Sequence, residues 1–258
     1  MNKSEKERKI IGIVGGVGPF AGLDLNRKIF ENTLCQREQD HLDVYLLSCA
    51  SHIADRTEYL LSPETVENPG EAIYGVIEKL HRIGAEVIGI PCNTSHSPLI
   101  FDHILRRIKE NKLAVTLLNM IQETHDFVCA AYPEMRVVGL LATKGTHRTG
   151  VYTGIFRAGG RLEVLEPPAD VQETVHAAIY HPDYGIKNHP NPVRKEAPEA
   201  LTSAARGLIA RGAEAIIMGC TEIPLAMGSV NLTVPLIDAT EVLARSLIAR
   251  ADRDALKE

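Results

Sequence analysis

The sequence predicts an α/β protein of two pseudo-symmetric lobes, each a mainly parallel sheet flanked by helices. Three observations predict it. The segment GAEVIGIPCNT, Gly84 to Thr94, is echoed by GAEAIIMGCTE, Gly212 to Glu222, and the interval between the glycines equals that between Cys92 and Cys220, close to half of the 258 residues. Two further pairs follow in the same order. KIIGIVGG from Lys9 resembles MRVVGLLATKGT from Met135, and LAVTLLNMIQET from Leu113 resembles LTVPLIDATEVL from Leu232. Finally, short apolar runs of strand length alternate with helix-period segments, the pattern of parallel sheets covered on both faces.

Taken in order, Ile10 to Val14 reads as a buried strand, followed by a loop in which Gly15, Gly16 and Gly18 permit close backbone approach, then a helix from Phe20 to Cys35. Val44 to Ser48 is the next strand. Pro69 suits the first turn of a helix running to Leu80, because proline there lacks only an N–H that the helix would leave unpaired. Val87 to Ile90 then delivers Cys92. Ser97 to Lys109 places Leu99, Ile100, Ile104 and Ile108 on one broad helical face, and Val115 to Leu118 is the following strand. The second half repeats the alternation: strand Val137 to Leu141, a loop containing Thr143 to Thr146, helix Gly150 to Ala158 and strand Leu162 to Leu165. A polar, proline-rich run from Tyr180 to Pro198 interrupts it. Helix Leu201 to Ala210, strands Ala215 to Met218 and Val234 to Ile237, and helix Thr240 to Arg250 complete the chain.

Size and charge bound the function. With 45% hydrophobic residues, the chain can fill one large core or two of roughly 120 residues, and the repeat favours two. Its 28 Lys plus Arg against 33 Asp plus Glu give a net charge of -5 without a long block of either sign, which disfavours nucleic acid or an acidic membrane as partner. No apolar stretch approaches the roughly 20 residues needed to span a bilayer, and a cytoplasmic protein is expected. Five cysteines, an odd number, do not suggest a disulfide framework.

Cys92 and Cys220 fall at the carboxyl ends of repeated strands, where open α/β sheets carry their chemistry. Paired there, they can place one thiol on each side of a shared substrate. Inversion at an amino-acid α-carbon needs this arrangement, because a proton leaves one face and another is added to the opposite face. Thiols suit both roles, with an ordinary pKa of about 8.5 that a positive potential can lower. Cys35, Cys49 and Cys129 lack this placement and read as structural. Gly16-Val17-Gly18-Pro19-Phe20-Ala21 lacks the third glycine of a dinucleotide loop, and Cys92 with His96 lacks a zinc-like ligand set. No cofactor or metal is expected, and no lysine sits in a motif for a pyridoxal phosphate aldimine.

The segments GIVGGVGP, ADRTEYLL, GAEVIGIPCNTSH, GLLATKGT, GAEAIIMGCTE and VPLIDATE together resemble the aspartate/glutamate racemase superfamily, in particular its cofactor-independent aspartate racemase branch. The resemblance covers nearly the whole chain. It implies an active site in the cleft between the lobes, with Cys92 and Cys220 as the catalytic pair, Cys220 acting on the L-enantiomer and Cys92 on the D-enantiomer. It also implies a first lobe over residues 1–115, a second over 116–231, and a strand and helix over 232–258 packed back on the first lobe, in a homodimer.

Within that resemblance, Arg56 in Asp55-Arg56-Thr57 is expected to fork onto the substrate side-chain carboxylate, with Lys187 adding positive charge. Asn93, Thr94 and Thr221 are expected to orient the α-carboxylate and to stabilise the charge it gains when the α-proton leaves. Gly16 is expected to bring backbone to the substrate, and Thr143 and Thr146 to face it. Structural alternatives stand beside each: helix capping for Asn93, Thr94 and Thr221, turn stabilisation for Thr143 and Thr146, and exposed surface charge for Arg56 and Lys187. Val17 and Ser95 depart from the Met and Ala common at these places. The function implied is interconversion of L- and D-aspartate; glutamate or broad-specificity racemisation, and a non-catalytic protein that binds acidic metabolites, are the alternatives.

Overall fold

The computed structural model describes residues 8–258 and contains two four-stranded parallel sheets. The first half of the chain runs β1 (Ile11–Gly15), α1 (Pro19–Asn32), β2 (Val44–Ser48), α2 (Arg56–Leu61), α3 (Pro69–Arg82), β3 (Val87–Gly89), α4 (Pro98–Glu110), β4 (Thr116–Leu117) and α5 (Met120–Ala131). The second runs β5 (Val137–Ala142), α6 (Lys144–Thr149), α7 (Val151–Ala158), β6 (Glu163–Leu165), α8 (Ala169–Tyr180), α9 (Glu196–Ala210), β7 (Ala215–Gly219), α10 (Ile223–Met227), β8 (Leu236–Asp238) and α11 (Ala239–Ala251). Strand order is β2-β1-β3-β4 in one sheet and β6-β5-β7-β8 in the other, so the sequence repeat is a repeat of topology.

The central strands are apolar on both faces, as a sheet covered by helices requires. Ile11, Ile13 and Val14 in β1 and Ala215, Ile216 and Ile217 in β7 are fully buried. β1 registers Ile11 against Val44 on one side and Val87 on the other, and β5 registers Val138 against Ala215. Each lobe has a core on either face of its sheet. α3 and α4 cover one face of the first sheet, and α8 and α9 one face of the second. The opposite faces are closed by α1 with α11 on the first sheet, where Leu243, Leu247 and Ile248 pack with Ile11 and Ile13, and by α5 with α7 on the second. β8 pairs with β7, yet the helix that follows it buries its apolar face against the first sheet. At this junction Lys28 of α1, only 5% exposed, bridges Asp24 and Asp238 at 2.5 Å each.

Some boundaries differ from the sequence reading. Thr143 to Thr146 is not a loop: Thr143 caps α6, its hydroxyl accepting the N–H of Thr146 at 3.3 Å. The helix expected over Gly150 to Ala158 is α7, which starts one residue later, and the unexpected α6 before it ends at Gly150, with φ 59°. The strand expected over Val234 to Ile237 begins at Leu236, and the helix expected from Leu201 begins at Glu196. Gly84 and Gly212, the repeat glycines that follow α3 and α9, have φ of 105° and 101°, a left-handed exit from each helix that a side chain would oppose. No helix among the described residues is long and apolar enough to cross a membrane.

Candidate active site

Four parallel strands point their carboxyl ends at one place. β1 leads into Gly16-Val17-Gly18, β3 into Cys92, β5 into Thr143 and β7 into Cys220. Backbone N–H and C=O groups there have left the sheet ladder, so side chains and ligands can meet without breaking it. Between the lobes lies a small, largely enclosed cavity, lined by Cys92, Asn93, Thr94 and Arg56 from the first half and by Thr143, Lys187, Cys220, Thr221 and Glu222 from the second. Val17 and Tyr180 complete its wall. Cys92 and Cys220 are free thiols, 6% and 7% exposed. The cavity adjoins a wider vestibule of about 210 Å³, and Arg56, Lys187 and Glu222 line both. Phe20, Ile53, Ile186 and Pro190 give the vestibule an apolar rim.

Arg56 is a buried cation rather than an exposed surface charge. It donates to the carbonyl oxygens of Val17 at 2.6 Å and Ala54 at 3.2 Å, while its Nε has no partner. Burial opposes its charge, but the facing Cys92 and Asp55 outweigh that and raise its pKa. Lys187 is partly buried; burial disfavours its ammonium, and Glu222, 3.3 Å away, more than compensates. Glu222 is correspondingly held below the usual carboxylate range despite burial, chiefly by Lys187. Its other oxygen accepts the Cys220 thiol at 2.9 Å. Burial and the Glu222 charge push the Cys220 thiol well up, against the opposing effect of Lys187.

Asn93 is fixed by a residue from the other lobe. Tyr152 of α7, fully buried, donates its hydroxyl to Asn93 Oδ1 at 2.6 Å, which leaves Asn93 Nδ2 as a buried donor without a partner. Thr94, Thr143 and Thr146 form a hydroxyl cluster across the cleft, with Thr94 Oγ1 3.1 Å from Thr146 Oγ1 and 3.5 Å from Thr143 Oγ1. Asn93 and Thr94 lie in a single 3-10 turn and do not cap α4, whose N-cap is Ser97.

Two of the expected substrate contacts do not line the cavity itself. Thr146 is absent from the cavity wall and stands behind Thr94 and Thr143. Gly16 reaches only the vestibule, where its φ is 86° and a Cβ would come within 2.5 Å of the Ala50 N; close backbone packing explains it. His96 Nδ1 is 2.9 Å from the Cys92 carbonyl oxygen, and burial drives its pKa down to about 4. Among the described residues no group of three or more His, Cys, Asp or Glu could hold a metal ion.

Sequence reasoning passed over Glu222, Tyr180 and Tyr152. Glu222 was readable as the residue two after Cys220 in the second repeat, where the first repeat has Thr94; that exchange of a hydroxyl for a carboxylate is the signal. The two tyrosines carry no local signal, because their partners Asp55 and Asn93 are 125 and 59 positions away.

Residues 14–247 match the family model described as Asp/Glu/Hydantoin racemase. The chain is 26% identical over 250 residues to the broad specificity amino-acid racemase RacX of Bacillus subtilis (strain 168), covering 93% of this chain and 97% of that protein. Among solved structures it is similar to an aspartate racemase of Picrophilus torridus, with 30% identity, 94% of each chain covered and a TM-score of 0.77. It is also similar to an aspartate racemase homologue from Pyrococcus horikoshii OT3, with 25% identity, 95% of this chain and 99% of that one covered, and a TM-score of 0.70.

Proposed function

This chain belongs to the Asp/Glu/hydantoin racemase family, and from that premise we propose that it interconverts L- and D-aspartate by proton transfer between two thiols, without a cofactor. The observation that carries the reading is that Cys92 and Cys220, from matching positions of the two lobes, line one cavity together with the buried Arg56 and the partly buried Lys187. One thiolate takes the α-proton while the other thiol supplies a proton to the opposite face. A single base could not serve both faces.

The cavity contents support a dicarboxylate substrate. Arg56 Nε and Asn93 Nδ2 are buried donors without partners, and an unpaired buried donor costs about 1–3 kcal/mol unless a ligand satisfies it. A carboxylate supplies that acceptor. Asn93, Thr94 and Thr221 face the electron density that moves toward the α-carboxylate as the proton leaves, where preorganised donors contribute most. Arg56 and Lys187 favour a second, side-chain carboxylate, with Cys220 abstracting from the L-enantiomer and Cys92 from the D-enantiomer. The name of the Picrophilus relative agrees with aspartate.

A broader substrate range has its own support in the apolar vestibule rim of Phe20, Ile53, Ile186 and Pro190, which would tolerate larger side chains, and in the name of the Bacillus relative. The test incubates the purified protein, C92S and C220S with each enantiomer of aspartate, glutamate and several apolar amino acids in deuterated water, without added metal or pyridoxal phosphate. Chirality and α-deuterium are both measured. Racemisation of aspartate that either single substitution leaves intact would overturn the two-thiol reading, and faster turnover of other amino acids would replace the substrate. We further propose a homodimer, which a concentration-independent monomer mass in solution would reject.

A further inference from the structure

Glu222 makes more contacts than the opening of a five-residue helix requires. Its Oε2 accepts the Cys220 thiol at 2.9 Å and the Thr221 hydroxyl at 3.3 Å, and its Oε1 lies 3.3 Å from Lys187 Nζ. The residue is 4% exposed. From the first lobe, Gly18 abuts the same carboxylate: a Cβ there would stand 2.6 Å from Glu222 Oε1. The missing side chain of Gly18 therefore makes room for this carboxylate at the lobe interface.

A carboxylate touching a thiol can accept its proton outright or hold it in place. The charges around Glu222 decide between these. Lys187 and Arg56 both favour its ionised form, and a second negative charge on the adjoining sulfur would have to form beside it in a buried site. Tyr180, in the cavity wall, and Asp55, in the vestibule wall, complete the titratable groups on the Lys187 and Arg56 side, and they share a hydrogen bond of 3.0 Å.

We propose that Glu222 is a positioning residue that holds Cys220 as the thiol, making Cys220 the resting proton donor and Cys92 the resting acceptor of the pair. This rests on the two-thiol reading above. In the forward step the Cys92 thiolate takes the α-proton and the Cys220 thiol gives its proton to the other face, leaving a Cys92 thiol and a Cys220 thiolate. The reverse reaction restores the first state. Glu222 keeps its charge throughout and sets the balance between the two forms.

The readout is the pH profile of kcat/KM, which is the same for both enantiomers because racemisation has a unit equilibrium constant. The active pair holds one proton, so the alkaline limb reports loss of the last one, and its apparent pKa belongs to the pair. Glu222→Gln removes a neighbouring negative charge and is expected to move that limb down by roughly one pH unit or more, with the acid limb unchanged. Lys187→Gln removes the opposing positive charge and is expected to move it up. An independent measurement follows alkylation of Cys220 by iodoacetamide against pH, resolved by peptide mass spectrometry, and expects the same two shifts. An alkylation midpoint at Cys220 unmoved by Glu222→Gln, or lowered by Lys187→Gln, overturns the proposal. Absence of racemisation in the wild-type protein would overturn the functional reading instead, and the alkylation data would still decide the role of Glu222.

Discussion

Tyr180 of α8 donates its hydroxyl to Asp55 Oδ2 at 3.0 Å, joining the second lobe to the residue that caps α2 in the first. The same carboxylate accepts the N–H groups of Thr57 and Glu58 through Oδ1, at 2.8 and 3.0 Å. One side chain thus starts the helix that carries Arg56 and fastens it across the cleft. Burial raises and the Arg56 charge lowers the Asp55 carboxyl, with the lowering dominant, so the acceptor is ionised. Tyr180→Phe keeps the ring over which Lys187 Nζ sits, 5.0 Å from its centroid, and removes only the hydroxyl. A hydrogen bond to a charged group contributes about 1.5–3 kcal/mol, so kcat/KM is expected to fall about tenfold or more, with a loss of a few degrees in Tm. Steady-state kinetics with a thermal melt check this; unchanged kcat/KM would remove the interlobe fastening from catalysis.

Arg56→Lys tests whether shape matters as well as charge. The guanidinium reaches two carbonyl oxygens, Val17 and Ala54, and keeps Nε free, a division of donors that one ammonium cannot reproduce. Loss of one or two charge-assisted bonds is expected to lower kcat/KM for aspartate by about two orders of magnitude. Near-wild-type turnover of aspartate by this variant would show that Arg56 does not bind the side-chain carboxylate.

How much of this was legible from the chain depends on what is local. The repeat placed Cys92 and Cys220 at strand ends because each follows, at the same spacing, a glycine that must turn left-handed and a strand, and such constraints are written in consecutive residues. Helix starts at proline were equally readable at Pro69. Thr143 was misread as loop because threonine is both a turn residue and an N-cap, and only the next turn, closed by Thr146 N–H, separates the two. Thr146 and Gly16 drew an expectation of substrate contact because they belong to the same short motifs as residues that line the cavity itself. Burial of a whole motif does not make every member face the same side. Tyr180 and Tyr152 were invisible because their importance comes from contacts made only when the lobes meet.

Gly18→Ala addresses the first-lobe side of the Glu222 carboxylate. Gly18 has φ 139°, which L side chains rarely adopt, and the added methyl would lie 2.6 Å from Glu222 Oε1. Strain of this kind costs about 1–3 kcal/mol and here falls on the Glu222 carboxylate that holds the Cys220 thiol as well as on the fold. Turnover is expected to drop by a larger factor than stability predicts, read as kcat/KM beside a urea midpoint. A variant with a lowered midpoint and full activity would separate Gly18 from the site.

His96 makes the protein sensitive to mild acid by a route separate from catalysis. The ring is 2% exposed, lies tilted against Phe101 with centroids 4.9 Å apart and bonds the Cys92 carbonyl oxygen, and burial lowers its pKa from the ordinary 6.5 to about 4. A histidine whose folded pKa is depressed takes up its proton in the unfolded chain first. Between about pH 6.5 and 4 the unfolded state therefore binds more protons, and stability falls as pH falls through that window. At 1.36 kcal/mol per pKa unit, the full loss is about 3 kcal/mol. His176, also lowered by burial, contributes in the same direction, whereas the depressed carboxylates Glu222, Asp55 and Glu166 act only at lower pH, below their unfolded values. Comparing wild type with His96→Gln isolates the one group: glutamine can still donate to the Cys92 carbonyl but does not titrate. Urea unfolding from pH 7 to pH 5 should show a steeper loss of stability in the wild type than in the variant, and parallel curves would place the buried His96 ring outside the acid response.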